Sequence, residues 1–262
     1  MSRIAPLFSG SNGNSTYIGT QECGILVDVG ASFKGITSAL ESAGGSVEEI
    51  KVVAVTHTHS DHIKGLKTFL SKSKAMLVAT QKTAEYLCSE DRIPKNTVVS
   101  VIDRKPIEVD GIIINNFHTS HDCEGSCGYT VIAPDGKKVS ICTDLGVITD
   151  EVRASLDDSD VVLIESNHDI DMLKNGPYPP ILKTRILSDL GHISNFVCAG
   201  EVLRLFKNNT QRFILGHLSL NNNTPLLAKS CTESVLMDMG AKNGRDYILT
   251  VAKPKENGVT VF

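Results

Sequence analysis

Three histidines and one aspartate fall within six residues of the segment VVAVTHTHSDHIKGL, which spans 52–66. They are His57, His59, Asp61 and His62. The run Val52–Thr56 before them reads as a strand, and a helix begins near Ser60–His62. The four side chains therefore stand at a strand end and in the loop after it, where ligands collect in layered α/β folds. His57 and His59 are two residues apart, so extended backbone points them the same way. Asp61 and His62 follow at a turn and can face a neighbouring point. Two such pairs, slightly offset, suit two metal ions held close together. Neutral imidazole suits zinc, iron or manganese, and a carboxylate adds charge neutralisation. The H-E-x-x-H pattern of another zinc class is absent.

The remaining ligands must come from elsewhere in the chain. Five further histidines are available: His118, His121, His168, His192 and His217. Asp144 follows the apolar run Val139–Thr143, His217 follows Arg212–Leu215 and Gly216, and Asp28 ends the run Ile25–Val27. Any one of them alone would be an ordinary turn residue or helix cap. Their recurrence at strand ends puts them in the same structural position as the histidine cluster.

Short Val- and Ile-rich runs bounded by turn residues predict the strands that carry these groups. They are Thr16–Ile18, Ile25–Val29, Val52–Val55, Met76–Ala79, Val98–Ile102, Ile112–Asn116, Tyr129–Ile132, Val139–Thr143, Val161–Ile164, Arg212–Leu215, Tyr247–Val251 and Val259–Val261. Helical apolar spacing appears over Phe33–Ser42, His62–Ser71, Thr80–Ser89, Val147–Ser155, Ile181–Leu190, Asn195–Lys207 and Thr224–Met239. Strands alternate with helices at irregular intervals, which predicts mixed sheets covered by helices.

No repeat, low-complexity tract or linker divides the 262 residues, so one domain over 1–262 is expected. With 41% apolar residues and a net charge of −4, the chain is not a basic nucleic-acid-coating protein, and any such contact must be local. No 18-residue apolar run is present for a membrane span, and MSRIAPLFSG is not an export signal. Seven cysteines without a CxxC pair read as reduced thiols, which predicts a cytoplasmic protein. Cys123 and Cys127 near His121 read as loop thiols.

Taken in order, these motifs resemble those of the metallo-β-lactamase superfamily. The Asp after the second strand corresponds to Asp28 in ILVDVG, and HxHxDH to His57–His62 without departure. The isolated third-motif His matches His121 in FHTSHDCEGSCGY; His118 competes, and the Gly-Tyr that follows favours His121. Asp144 in ICTDLG matches the bridging Asp, and His217 in ILGHLS the late His. The resemblance implies an α+β fold, a four-layer αββα sandwich with two mixed β-sheets and metals at one edge. SGSNGNSTYI, VDVGAS, SHDCEGSCGY, TDLG, IESNHDIDML, GPYPPILKTRI, GHISN and GHLSLNNNTP further resemble the YycJ/WalJ-like subgroup, to which 5′-to-3′ exonuclease activity on DNA is attributed.

The resemblance implies that His57, His59 and His121 hold one divalent ion, that Asp61, His62 and His217 hold a second, and that Asp144 bridges them. A hydroxide shared by two zinc, manganese or iron ions would attack phosphorus, with Asp61 orienting it. Asp28 would hydrogen-bond a ligand His. The leaving alkoxide needs a proton; GHISN resembles the histidine motif of tRNA 3′-processing enzymes, which makes His192 the candidate donor and Glu165 its partner. His168 suits a site wall or a structural role equally. Lys183 and Arg185 are candidates to clamp phosphates, and Asn195 and Asn222 to supply neutral donors. Only 72 residues separate Asp144 from His217, which leaves no room for the extra domain of larger RNA- and DNA-processing relatives. The expected partner is therefore a nucleic acid, DNA by resemblance, with no membrane or dedicated protein partner. Two alternatives remain: a thioester, lactone or other carbonyl-ester hydrolase, and a non-catalytic metal-binding scaffold. A flavo-diiron reductase is disfavoured because that group has Glu where His59 stands.

Overall fold

The computed structural model describes residues 1–20, 23–255 and 257–262. In chain order its strands are β1 (Arg3–Phe8), β2 (Ser15–Gly19), β3 (Gly24–Val27), β4 (Ile50–Ala54), β5 (Met76–Ala79), β6 (Val99–Val101), β7 (Ile107–Val109), β8 (Ile112–His118), β9 (Cys127–Ile132), β10 (Lys138–Cys142), β11 (Val161–Glu165), β12 (Arg212–Gly216), β13 (Ile248–Val251) and β14 (Thr260–Val261). The helices are α1 (Phe33–Ser42), α2 (Ser60–Ile63), α3 (Leu66–Lys72), α4 (Gln81–Ser89), α5 (Asp150–Leu156), α6 (Ile170–Asn175), α7 (Pro180–Ile186), α8 (Asn195–Lys207) and α9 (Pro225–Met237).

Two seven-stranded sheets form, in the orders β14-β1-β2-β3-β4-β5-β6 and β13-β12-β11-β10-β9-β8-β7. Each is mixed. In the first sheet, β3 to β6 are parallel and β14, β1, β2 and β3 antiparallel. In the second, β10 to β13 are parallel and β7 to β10 antiparallel. Alternate residues of facing strands meet in the central layer, which includes Ile25, Val27, Val52, Tyr129, Val139 and Leu163. The opposite faces carry separate apolar layers. Leu26, Val53 and Leu77 pack under Ile36, Leu40 and Phe69 of α1 and α3. Val162, Ile164 and Phe213 pack under Val152, Val202 and Leu236 of α5, α8 and α9. Strands buried on both faces explain the near-continuous apolar runs of the parallel halves. The architecture is the expected four-layer αββα sandwich.

The predicted strands are present with shifted ends, and two further ones occur. β1 contains Pro6, which argues against a central strand. It is tolerated because β14 pairs only with Arg3 and Ile4, while the pairing with β2 shifts register between Pro6 and Phe8. The edge strand β7 turns into β8 through Asp110-Gly111, both at positive φ, a two-residue hairpin turn. The helix predicted over His62–Ser71 is broken into α2 and α3. Gly65 separates them because its backbone presses on residue 31: a Cβ there would lie 1.9 Å from the Ala31 carbonyl oxygen. The helix predicted over Val147–Ser155 starts later, at Asp150, where the Thr149 hydroxyl caps the Val152 amide. That predicted over Ile181–Leu190 ends at Ile186. Among the described residues no helix is long and apolar enough to cross a membrane.

Candidate metal centre

The histidine cluster follows β4, and its neighbours arrive from the same edge of both sheets. Asp28 follows β3, Asp144 comes just after β10, Glu165 ends β11 and His217 follows β12. Asp28, Asp144 and His217 all have positive φ, at 63°, 58° and 55°. This region is uncommon for residues other than glycine, and such residues concentrate where a site needs a side chain turned sharply off its strand.

The donor atoms converge in two sets. In the first, His57 Nε2 is 3.1 Å from His59 Nδ1, and His121 Nε2 is 3.3 Å from the same atom. Ligands at about 2.0–2.1 Å from a tetrahedral zinc lie about 3.3 Å apart, so this spacing is already that of a coordination shell. In the second, His62 Nε2 and His217 Nε2 lie 3.6 and 3.9 Å from Asp61 Oδ2. Asp144 stands between the sets, with Oδ1 3.8 Å from His121 and 3.5 Å from His217, and Oδ2 3.4 Å from His62.

Three of the rings are fixed by their other nitrogen. His62 Nδ1 is 2.7 Å from Asp28, which also accepts from the Thr56 amide and hydroxyl. His121 Nδ1 faces the Gly191 carbonyl at 3.2 Å, and His217 Nδ1 faces Glu165 Oε1 at 2.8 Å. Such partners set the tautomer and leave Nε2 as the ligating atom. Two buried atoms, Asp144 Oδ2 and His217 Nε2, have no hydrogen-bond partner among the described residues. Buried polar atoms are rarely left unpaired, so their convergence fits divalent metal ions as the missing partners.

Electrostatics distinguish the sets. Burial pulls the pKa of His57, His59 and His121 down, so these rings are neutral and ready to ligate. Burial also acts against charge on His62, but Asp144 and Asp28 outweigh it and raise its pKa to about 9. His217 is likewise raised, chiefly by Asp144 against burial. Asp144 is itself held well below the carboxylate range: burial opposes ionisation, and His217 and His62 overcome it. Protons on His62 and His217 thus balance the carboxylates without metal, and metal binding at that set must displace them.

Beside the second set, Glu165 is fully buried and accepts from His192 Nδ1 at 2.8 Å as well as from His217. Burial works against its charge, yet the two imidazoles hold it down at about 2. His192 lines a cavity of about 350 Å³ together with Asp61, His121, Asp144 and Arg185. Arg185 is gripped by Asp122 through two of its nitrogens, Nε at 2.5 Å and Nη2 at 2.9 Å. Asp122 also approaches His59 and His121, at 3.7 and 3.5 Å.

Three of the sequence candidates do not reach the cavity. Lys183 lies on α7 and donates to the Lys174 carbonyl. Asn195 is buried in a network with Ser166 and Asn223, and Asn222 is buried against Ser219. His168 is also buried outside the cavity lining, and burial lowers its pKa to about 4. His118 ends β8 in an exposed position, which leaves the third-motif place to His121. Cys127 is buried in β9, and Cys123 lies 3.2 Å from the Thr58 hydroxyl. Neither belongs to a candidate metal cluster among the described residues.

One residue that the sequence reading missed is Asn14. Its Nδ2 donates to Asp61 Oδ2 at 3.2 Å, its Oδ1 accepts from the Gly10 amide, and its backbone pairs with Asp61 and Gly30. The loop between β1 and β2 is thereby fastened to the Asp61 carboxylate. The signal available was the SGSNGNS loop, rich in residues that make tight turns.

Comparison with known proteins agrees with this geometry. The family model described as a beta-lactamase superfamily domain matches residues 24–218. Exodeoxyribonuclease YycJ of Bacillus anthracis is 34% identical over 95% of this chain and 94% of its own length. Exodeoxyribonuclease WalJ of Streptococcus pneumoniae is 37% identical over 92% and 90%. The crystal structure of zinc-bound PqqB from Methylobacterium extorquens shares the fold, with a TM-score of 0.72 at 17% identity over 99% of this chain and all of that one. With the family model covering most of the chain and full-length relatives above 30% identity, the chain belongs to the metallo-β-lactamase superfamily.

Proposed function

We propose that residues 1–262 act as one metallo-β-lactamase-type domain that hydrolyses DNA phosphodiesters as a 5′-to-3′ exonuclease. His57, His59 and His121 would hold one divalent ion, Asp61, His62 and His217 a second, and Asp144 both. Zinc and manganese suit these donors, iron also, and availability selects among them. When bound, two such ions supply an activated water and neutralise charge on a phosphate.

The observation that carries the reading is the His192–Glu165 pair beside the complete donor set. A DNA strand leaves as a poor alkoxide and needs a proton at its oxygen. Glu165 occupies His192 Nδ1, so Nε2 is the nitrogen that can deliver it. A thioester leaves as a thiolate and has no such need, which sets thioester hydrolysis second. Asp61, steadied by Asn14, orients the attacking water. Arg185, oriented by Asp122, would meet the phosphate from the cavity wall. The names of the YycJ and WalJ relatives support DNA as the substrate. All seven cysteines are unpaired, in keeping with a cytoplasmic protein.

Digestion of 5′-phosphorylated duplex DNA, labelled at either end, tests the reading with metal-stripped protein and added manganese or zinc. Mononucleotides should leave the 5′ end only when metal is present. No cleavage of DNA with either metal would shift the assignment to a carbonyl-ester hydrolase.

A further inference from the structure

A second cleft, of about 420 Å³, opens beside the metal cavity, and Ser11 borders both. The partition between them is the loop Ser9–Gly13 pressed on the segment that follows His217. Gly10 has a φ of 123°, and a Cβ there would lie 3.2 Å from the Leu218 carbonyl oxygen. Leu218 lines the metal cavity and Leu220 the second cleft. The loop is held from three directions. The Gly13 amide donates to Gly10, Asn14 Oδ1 accepts from the Gly10 amide, and Lys64 Nζ donates to the Asn12 carbonyl. The second cleft is therefore fixed in position relative to Asp61.

Its lining combines two chemistries. Phe8, Ala31, Leu220 and Pro254 give apolar walls, and Lys64 and Lys255 are its charged residues. Among the described residues no carboxylate lines it, although the chain as a whole carries a net charge of −4. An apolar slot edged with ammonium groups suits a ligand with a flat apolar part and an anionic part. Its continuity with the metal cavity at Ser11 selects a ligand that extends out of that cavity.

We propose that this cleft holds a nucleotide of the substrate strand next to the scissile phosphate, with its base against Phe8, Leu220 and Pro254 and its phosphate beside Lys64 and Lys255. The proposal rests on the nuclease reading above and adds the path of the strand. A base packs on such walls whatever its identity, so the cleft strengthens binding without selecting sequence.

The test compares two substrates of the metal-loaded protein: a 5′-phosphorylated single-stranded oligodeoxynucleotide, and bis(p-nitrophenyl) phosphate, a diester with no nucleoside. Lys64→Gln, Lys255→Gln and Leu220→Ala all change exposed side chains. Each should raise the KM ratio of oligonucleotide to small diester by about tenfold, in the range of one lost base or phosphate contact. Each lysine change should also reduce the salt dependence of the oligonucleotide KM by about 0.7 log units per log unit of salt. Lys64 is near His62, so metal content is measured alongside; Lys255→Gln and Leu220→Ala decide the matter if Lys64→Gln loses metal. Unchanged KM ratios in those two variants would overturn the proposal while leaving the nuclease reading intact. Wild-type protein that cleaves the small diester but no oligonucleotide would remove both.

Discussion

Replacing His192 by alanine should slow DNA cleavage by about 10²–10⁴-fold, the usual contribution of a positioned proton donor, and leave the metal content unchanged. His192 Nδ1 is 2.8 Å from Glu165 and 4.0 Å from Asp144; these three residues and His217 could also gather round an ion, so metal content is the readout that separates the two roles. On bis(p-nitrophenyl) phosphate, whose leaving group departs without a proton, the same substitution should cost far less. Glu165→Gln should behave differently, because Glu165 orients two rings at once. It should slow DNA cleavage as His192→Ala does and also weaken metal binding by about 10–100-fold through His217, the scale typical of partners one step behind a ligand. Steady-state rates on both substrates, with metal analysis of each variant, check this. Loss of metal from His192→Ala would make His192 a ligand instead of a proton donor.

The second large effect is expected at Asp144. It is buried between the two donor sets, and against the opposing effect of burial its carboxylate is the leading charge that raises the pKa of His62 and His217. Asp144→Asn removes the charge that both sets share. Partners outside the ligand shell already cost roughly 10–100-fold in affinity, so losing a shared donor should cost more, on the order of 10³-fold in activity at fixed metal. The variant should still fold, since the amide has nearly the shape of the carboxylate and the surrounding apolar layers are untouched. A variant that retains both its metal and its rate would remove Asp144 from the centre.

Parts of this centre were legible in the sequence for a specific reason. His57, His59, Asp61 and His62 are close in the chain, and Asp28, Asp144 and His217 each end a clean apolar run. Position on a strand end is a local property, and the sheet then brings the ends together. Asn14 was not legible because its role arises between residues far apart: its amide meets Asp61 only after the β1–β2 loop folds over the cluster. Asp122 was hidden likewise, since its partner Arg185 arrives on α7. The misplaced substrate candidates fail in the opposite sense. Lys183, Asn195 and Asn222 lie near site residues in the chain, but helix geometry and burial turn them elsewhere. The split between α2 and α3 had the same origin, because the contact that demands Gly65 is with residue 31 across the fold.

The most direct test of the account is a metal titration of stripped protein, followed by hydrolysis of 5′-phosphorylated DNA. Two donor sets sharing Asp144 predict activity that rises until two equivalents of zinc or manganese per chain are bound and then stays level. A plateau at one equivalent, or cleavage that persists in a chelator, would contradict the two-ion centre.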